Sequence, residues 1–291
     1  MHLQKFEIED AVFYSPAALK DNFKIFFAFS SRKGGFSKQP YHYLNLASHV
    51  GDEPFSVYLN RTKFLGLTGI KNLQPLISVN QVHGNIVFKA DNEFIENIYL
   101  KEGLRKKLTI ENSEGLVNYL KPEADADAII SSQSAAPIMT MGADCNLILI
   151  ADLKLRITAS VHAGWRGVLN EILLKTLDEL RKNYNSKNSD LVLYLGPSIR
   201  YCCFNVSIDL FEIFYQKYGR ELVFNVKKIK DSPKYFIDLP FLLKNAALKS
   251  GIRFNNIYDL GLCTCCSNDL FFSYRKEGKT GRQGAVAFIE K

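Results

Sequence analysis

The stretch that decides the fold is GADCNLILIADLKLRITASVHAGWRG, residues 142–167. It contains two apolar runs, at 147–150 and 157–161, with a polar turn at 152–154 between them. Short apolar runs bounded in this way predict two buried strands that pair as an antiparallel hairpin. Cys145 precedes the first run and His162 follows the second, and adjacent strands lie about 5 Å apart. The pattern therefore predicts that a thiol and an imidazole meet, either as a nucleophile with its base or as part of a metal site.

Outside the hairpin, strand-like and helix-like segments follow one another along the chain. The predicted strands lie at 24–30, 75–87 with a break at His83-Gly84, 124–130, 136–141, 191–195 and 285–289. The predicted helices lie at 53–66, 166–183, 209–218 and 239–250. No repeat, low-complexity linker or compositional boundary divides the chain. We therefore predict an α+β fold in which mixed β-sheets are flanked by helices, as a single domain over residues 1–291 with a variable polar arm near 91–121.

The composition is that of an ordinary globular protein, because 47% of the 291 residues are hydrophobic and 23% are charged. No apolar run reaches the length of about 18 residues that a membrane helix needs, and the N-terminus lacks a secretory signal pattern. We therefore predict no membrane partner. The net charge of +7 comes from scattered basic residues, which favours a solvated surface and predicts no nucleic-acid partner.

The six cysteines do not have the pattern of a disulfide framework in a chain of this length. Cys202 and Cys203 are adjacent, and the run from Cys263 to Cys266 does not indicate a zinc knuckle or a redox motif. We expect most of these cysteines to be reduced, small and buried apolar residues. Reduced thiols in turn predict a cytoplasmic protein.

Four arginines are candidate ligands for an anion such as phosphate. Arg32 follows a predicted strand in a loop that contains glycines, where the alternative is a simple turn. Arg166 stands at the predicted start of a helix, against the preference of the helix dipole, which favours a functional position. Arg275 and Arg282 flank a turn near the C-terminus.

Two aspartates lie close to the predicted hairpin. Asp125 and Asp127 share one face of an extended segment, because side chains alternate along a strand. They are either acid–base groups or acceptors that hold neighbouring backbone and histidine groups. Carboxylates commonly orient metal-bound imidazoles, which favours the second role.

Several separated motifs occur in a characteristic order. They are FSSRKGGFS (29–37), YLNLASHVGD (43–52), NQVHG (80–84), ADADAII (124–130), GADC (142–145), HAGWRG (162–167) and FFSYRKEGKTGR (271–282). Together they resemble the laccase-domain (YfiH-like) family, whose members are described as polyphenol oxidases, purine nucleoside phosphorylases and peptidoglycan editing factors. The resemblance implies an α+β fold and a metal site formed by His83, Cys145 and His162. Two departures, Leu147 in place of the usual proline and Gly142 in place of a common threonine, are packing positions.

The resemblance also implies an activity. Two imidazoles and a thiolate suit zinc and leave one position open, although copper takes the same ligand types. The resemblance implies a zinc-dependent purine nucleoside phosphorylase that acts on adenosine, inosine and related nucleosides with phosphate, and that deaminates adenosine as a side activity. The predicted catalytic residues are Cys145, His162, Arg166 and Asp127, and the predicted substrate or phosphate ligands are Arg32, Arg166, Arg275 and Arg282.

Two other activities remain open from the sequence. Cys145 could attack an amide with a histidine as its base, as a cysteine hydrolase that edits peptidoglycan precursors would require. A copper-dependent polyphenol oxidase needs several coppers and many more ligands. His2, His42 and His49 are the only further histidines, so we rank oxidation last.

Overall fold

The computed structural model describes residues 1–69, 76–91, 93–97, 122–134, 136–219, 226–229 and 232–290. Its strands are β1 Gln4–Ile8, β2 Ala11–Ser15, β3 Ile25–Ser30, β4 Ile77–Ser78, β5 Val87–Ala90, β6 Ala128–Ser131, β7 Ile138–Gly142, β8 Asn146–Asp152, β9 Ile157–Ala163, β10 Leu191–Leu195, β11 Asn205–Val206, β12 Val226–Ile229, β13 Ser232–Phe236, β14 Ile257–Asp259 and β15 Gln283–Ile289. Its helices are α1 Ala17–Phe23, α2 Pro54–Leu67, α3 Trp165–Leu169, α4 Ile172–Tyr184, α5 Ile208–Tyr218, α6 Leu239–Lys249 and α7 Tyr274–Glu277. Most of the predicted arm near 91–121 lies outside the described residues.

The central hairpin forms as predicted. β8 and β9 pair antiparallel over their full length, and Leu147 stands opposite His162. The side chain of Asp152 accepts hydrogen bonds from the backbone N–H groups of Lys154 and Leu155, at 3.0 and 2.9 Å, and so closes the turn. Both strands are buried along their whole length, which explains why the sequence shows apolar runs with little alternation.

Two six-stranded sheets lie at the centre of the described structure. Their strand orders are β1-β2-β3-β15-β7-β4 and β14-β10-β8-β9-β6-β5, and β11, β13 and β12 form a third, small sheet. The two large sheets face each other, because Phe27 of β3 and Leu147 of β8 belong to one buried cluster. Ser160 of β9 also donates a hydrogen bond to the carbonyl of Ala285 in β15, at 3.0 Å. The hairpin is therefore held against the first sheet as well as within its own.

Helices cover the outer faces of both large sheets. Leu177 of α4 and Leu242 of α6 pack in one cluster with Ile148 of β8. Phe64 of α2 packs with Met139 of β7 on the outer face of the first sheet. The predicted α+β class, with mixed sheets flanked by helices, is confirmed. None of the helices in the described ranges has both the length and the apolar composition to span a membrane.

The helix predicted at 166–183 is in fact two helices, α3 and α4. Glu171 lies between them with φ +60°, in the left-handed region that a continuous helix cannot contain. Val168 of α3 and Ile172 of α4 nevertheless pack into the same core cluster. Because both helices present apolar residues to the same sheet, the hydrophobic spacing continues through the break and hides it.

Two further expectations are wrong. The segment at 75–87 is not one interrupted strand, because only β4 and the start of β5 are extended and an eight-residue loop lies between them. The cysteines are not mostly buried, because Cys202 and Cys266 are exposed and only Cys263 is fully buried. Cys202 and Cys266 lie in surface turns that follow strands, and Cys263 lies in an isolated β-bridge outside the two large sheets.

Candidate metal centre

His83, Cys145 and His162 meet at one end of the hairpin. The Nε2 atom of His83 lies 3.9 Å from the Sγ atom of Cys145, and the ligand atoms of all three residues lie within 4.8 Å of one another. The two imidazole rings meet edge to face with centroids 4.8 Å apart. Cys145 directly precedes β8 and His162 lies in β9, while the loop between β4 and β5 brings in His83. The structure thus brings together the three residues that the sequence placed in separate motifs.

Asp127 holds both histidines. Its Oδ1 atom accepts hydrogen bonds from the Nδ1–H of His162, at 2.9 Å, and from the backbone N–H of His83, at 3.0 Å. Its Oδ2 atom accepts from the backbone N–H of Gly84 at 2.6 Å. The carboxylate is fully buried. Since the Nδ1 atom of His162 faces Asp127, the Nε2 atom is left to face Cys145 and His83.

The loop that carries His83 depends on this clamp. His83 has φ +60°, in the left-handed region where residues other than glycine are strained. The side chain of Asp127 satisfies the backbone N–H groups on both sides of that kink, at His83 and at Gly84. Asp125, two residues earlier, is exposed and bonds the side-chain amide of Asn80 at 2.7 Å. Of the two predicted carboxylates, only Asp127 therefore reaches the cluster.

The charges of the cluster are coupled. Desolvation opposes ionisation of both Cys145 and His162. The imidazolium of His162 and hydrogen bonds from both histidines nevertheless lower the pKa of Cys145 to about 6. The Cys145 thiolate and Asp127 raise the pKa of His162 to about 9. Burial alone would raise the pKa of Asp127, but the hydrogen bonds from His162 and from the Gly84 N–H group lower it below its usual value. These shifts favour a thiolate and an imidazolium beside a carboxylate.

Gly164 allows His83 and Cys145 to approach the backbone closely. A Cβ atom at this position would lie 2.9 Å from the Cδ2 atom of His83 and 3.1 Å from the Sγ atom of Cys145. These distances are shorter than ordinary contacts, so any side chain here would push the two residues away. The Gly164 of the HAGWRG motif is explained by this close approach.

The cluster opens into a cavity of about 580 Å³, a volume typical of small-molecule sites. Aromatic side chains form part of its wall, namely Trp165, Phe204 and Tyr274. The sequence analysis missed these three residues as well as His49, Gln81 and Asp144, which also line the cavity. The side-chain amide of Gln81 bonds both backbone groups of Met141, at 2.6 and 2.8 Å, and so fixes the cavity wall. Desolvation and the charge of Arg282 lower the pKa of His49, which favours its neutral form.

The four predicted arginines do not converge. Arg275 and Arg282 line the cavity. Arg166 is exposed beside it and lies over the ring of Trp165, with 4.2 Å between its guanidinium carbon and the ring centroid. Arg32 lies elsewhere, buried against Phe272 with its guanidinium 3.0 Å from the carboxylate of Glu277. The structure therefore places Arg32 outside this cavity.

The donor set fits a single metal ion. A tetrahedral zinc with bonds of about 2.0–2.3 Å separates its nitrogen and sulfur ligands by about 3.6 Å, close to the 3.9 Å between His83 and Cys145. Copper accepts the same donor types. A multinuclear copper cluster does not fit, because His2 packs against Tyr258 and His42 lies beside Arg32, both away from the cavity. Of the five histidines in the chain, only His49, His83 and His162 line it.

Comparison with known proteins identifies relatives of the whole chain. A family model described as "Multi-copper polyphenol oxidoreductase laccase" matches residues 26–290. The chain is 27% identical over 259 residues to a purine nucleoside phosphorylase of Xylella fastidiosa, covering 88% of both chains. It is 28% identical to a purine nucleoside phosphorylase of Haemophilus influenzae, covering 90% of this chain and 93% of that protein. The crystal structure of the hypothetical protein YfiH of Bacillus licheniformis matches with a TM-score of 0.82 at 21% identity, covering 99% of both chains, and this likeness supports the fold.

Proposed function

The chain belongs to the multi-copper polyphenol oxidoreductase laccase family, and from this premise we propose that it is a zinc-dependent purine nucleoside phosphorylase. The observation that carries the proposal is a single cavity that holds the cluster of His83, Cys145 and His162 together with Arg275 and Arg282. Phosphorolysis needs cationic donors for phosphate beside the bond that breaks. Relatives over about nine tenths of the chain that bear the name purine nucleoside phosphorylase support this choice.

His83, Cys145 and His162 would hold the zinc ion through two nitrogens and one sulfur. A zinc ion there supplies a Lewis acid that polarises a substrate or lowers the pKa of water, and the second effect also explains our proposal of adenosine deamination as a side activity. Asp127 keeps His162 in the tautomer that offers Nε2 to the metal. Asp127 acts in this proposal as a positioning residue, since its oxygens are occupied by His83, Gly84 and His162.

Arg282 is the proposed main ligand of phosphate. Its Nη1 atom donates to the backbone carbonyls of Thr280 and Gly281, at 2.8 and 2.9 Å, so the guanidinium is fixed in direction. Its other nitrogens form no hydrogen bond within the described part of the chain. A half-buried guanidinium with unused donors gains strongly from an anion, because charge-assisted hydrogen bonds are about twice as strong as neutral ones.

Arg275 is the second proposed phosphate ligand. Its Nη1 atom donates to the backbone carbonyls of Cys203 and Asn205, at 2.9 and 3.1 Å, which orients the group at the cavity wall. The ring of Phe204 lies below its guanidinium at 5.5 Å. We assign the purine to the aromatic wall at Trp165 and Tyr274, because flat bases stack on such rings.

A cysteine hydrolase is the second candidate, and one observation favours it. Cys145, His162 and Asp127 stand in the order of nucleophile, base and orienting carboxylate. The lowered pKa of Cys145 makes its sulfur a thiolate at neutral pH when no metal is bound. A thiolate that is shared with zinc is a poor nucleophile, so the two functions exclude each other in the metal-loaded protein.

The activity test uses purified protein with adenosine or inosine, in the presence and absence of inorganic phosphate. We expect adenine or hypoxanthine together with ribose 1-phosphate, formed only when phosphate is present. If adenosine yields inosine as the sole product, the protein has deaminase activity and no phosphorylase activity. Base release that is indifferent to phosphate would refute phosphorolysis. An amide substrate cleaved by the metal-free protein, and not by a Cys145→Ser variant, would favour the hydrolase instead.

The phosphate assignment has a matched pair of variants. Arg282→Ala removes a cavity guanidinium, whereas Arg181→Ala removes an exposed one on α4 that pairs with Asp178. Loss of a charge-assisted contact worth about 1.5–3 kcal/mol raises the KM for phosphate by roughly 10- to 100-fold. We expect this rise for Arg282→Ala, with an unchanged KM for nucleoside, and no rise for Arg181→Ala. Equal phosphate KM values in the two variants contradict the assignment.

A further inference from the structure

Four cysteines outside the cavity form a second cluster of metal-ligand type. The Sγ atom of Cys266 lies 3.6 Å from that of Cys202 and 3.4 Å from that of Cys203. With Cys263, the four sulfurs all lie within 4.8 Å of one another. All four are free thiols. Cys265, although it is a neighbour in sequence, is not a member of the group.

Packing of apolar groups does not account for this convergence. Cys202 and Cys266 are exposed, so their sulfurs gain little from burial. A disulfide would use two sulfurs and leave two, whereas Cys266 stands at similar distances from both Cys202 and Cys203. In a tetrahedral zinc site with Zn–S bonds of about 2.3 Å, neighbouring sulfurs lie about 3.8 Å apart. The two separations from Cys266, 3.6 and 3.4 Å, are close to that value.

The spacing of two of these residues fits a metal knuckle. Cys263 and Cys266 are separated by two residues, which is the interval that lets both sulfurs of one turn bind a single ion. The sequence analysis overlooked this interval because Cys265 fills it. Cys202 and Cys203 supply the other half from the turn that follows β10. We propose that Cys202, Cys203, Cys263 and Cys266 bind one structural zinc ion.

Backbone hydrogen bonds already join the turn of Cys202 and Cys203 to the turn of Cys263 and Cys266, and a shared zinc ion would strengthen this connection. Ser198 and Cys263 form an isolated β-bridge, and the N–H group of Thr264 donates to the carbonyl of Ser198 at 3.1 Å. The first turn runs on into Phe204 and Asn205 of the cavity wall. A closed four-sulfur site has no position for substrate, so its role is to hold these turns together.

The second turn is linked to the catalytic end of the hairpin. Thr264 donates a hydrogen bond to the Oδ1 atom of Asp144 at 2.6 Å, and the N–H group of Arg275 donates to the Oδ2 atom at 2.6 Å. Asp144 directly precedes Cys145. The zinc ion that we propose would therefore fix the wall that presents Arg275 to the cavity.

The test measures zinc by elemental mass spectrometry in the purified parent and in three variants. We expect Cys266→Ser to lose about one equivalent of zinc relative to the parent. Cys265→Ser is the matched control, because it changes the neighbouring thiol, and it is expected to keep the parent content. Cys145→Ser is expected to lose only the ion at the other site, so failure of the catalytic assignment is separable from failure of this one. A Cys266→Ser protein with the parent zinc content overturns the proposal, as does iron in place of zinc.

A second measurement uses the parent alone and stands even if a variant fails to fold. Cys266 is exposed, so a thiol reagent can reach its sulfur unless a metal covers it. We expect this thiol to be unreactive in the protein as purified and to become reactive after treatment with a strong zinc chelator. Immediate labelling of Cys266 before chelation overturns the proposal. A mass 2 Da below that of the fully reduced chain, showing a disulfide in this cluster, overturns it as well.

Discussion

Replacement of Asp127 by asparagine tests the metal centre at the residue on which its geometry depends. The carboxylate accepts three hydrogen bonds, from His83 N–H, Gly84 N–H and the Nδ1–H of His162. Asparagine has the same shape, but one of its two terminal atoms is an NH2 donor. In any orientation that NH2 group faces at least one of these donors, so at least one charge-assisted hydrogen bond is lost.

The expected magnitude follows from that loss. A hydrogen bond to a charged group contributes about 1.5–3 kcal/mol, and 1.4 kcal/mol corresponds to a factor of ten in an equilibrium constant. In the orientation that loses the fewest bonds, the NH2 group faces the Gly84 N–H group and the His162 ring keeps its bond, but to a neutral amide oxygen instead of a carboxylate. The ring is then held more weakly, which lowers the zinc affinity by roughly 10- to 100-fold. The Asp127→Asn protein should remain folded, because the change keeps the volume of the side chain.

Zinc affinity is measured by competition with a chromophoric chelator, and circular dichroism verifies the fold. Asp125→Asn is the control, since Asp125 lies two residues away, is exposed and bonds only the Asn80 side chain among the hydrogen bonds described. Its zinc affinity should stay within about threefold of the parent value, as expected of a surface substitution. If Asp127→Asn binds zinc as tightly as Asp125→Asn does, the carboxylate does not support the metal site and the reasoning is refuted.

Three further substitutions, one of them with a control, probe the metal centre and the stability of the fold. Gly164→Ala places a Cβ atom 2.9 Å from His83, so the zinc affinity should fall at least tenfold in the same assay. Gly66→Ala is the control, because its Cβ atom meets open space, and it should raise the free energy of unfolding by about 0.5–1 kcal/mol. Asp259→Asn tests the pH dependence of stability. Although desolvation opposes ionisation, the ion pairs of the Asp259 carboxylate lower its pKa to about 2 from the usual 3.8. Its contribution to the free energy of unfolding is therefore fully present above pH 4 and is lost as the pH falls towards 2. In urea unfolding, the loss should be about 2 kcal/mol at pH 7 and about half as much at pH 3, and an equal loss at both values contradicts the linkage. Asn60→Ala removes a buried amide that donates to three oxygens and accepts from the N–H group of Phe36. The free energy of unfolding should therefore fall by about 3 kcal/mol or more. A loss below about 1 kcal/mol shows that water replaces these hydrogen bonds.

The hairpin could be predicted from the sequence because its determinants are local. Two apolar runs, a polar turn and the residues at their ends lie within 26 consecutive positions, so pairing of neighbouring strands already sets the place of Cys145 and His162. The break at Glu171 could not be predicted in the same way. Its left-handed backbone leaves the apolar spacing of α3 and α4 unchanged, so no periodicity records it.

Arg32 shows why a loop motif alone does not fix a role. The sequence around it, with two glycines after a strand, is compatible with an anion site but favours a simple turn. The outcome depends on Glu277 and Asn268, which lie more than 230 positions away and bond its guanidinium at 3.0 and 2.8 Å. No local pattern contains those partners. His83 could be predicted only through its motif, because the expected interrupted strand is in fact a loop between β4 and β5. Asp127 holds that loop by accepting from two adjacent N–H groups, a contact between residues more than 40 positions apart that no local pattern contains.

The two cysteine-containing clusters are connected through the side chain of Asp144. Asp144 has φ +85° immediately before Cys145, a strained conformation for a residue that is not glycine. Both of its carboxylate oxygens are bound, one by Thr264 and the other by the backbone of Arg275. Thr264 lies inside the turn that carries Cys263 and Cys266. A contact that orders this turn therefore also fixes the backbone at Asp144 and, with it, the position of Cys145 beside the two histidines. The position of this metal ligand thus depends on residues about 120 positions further along the chain.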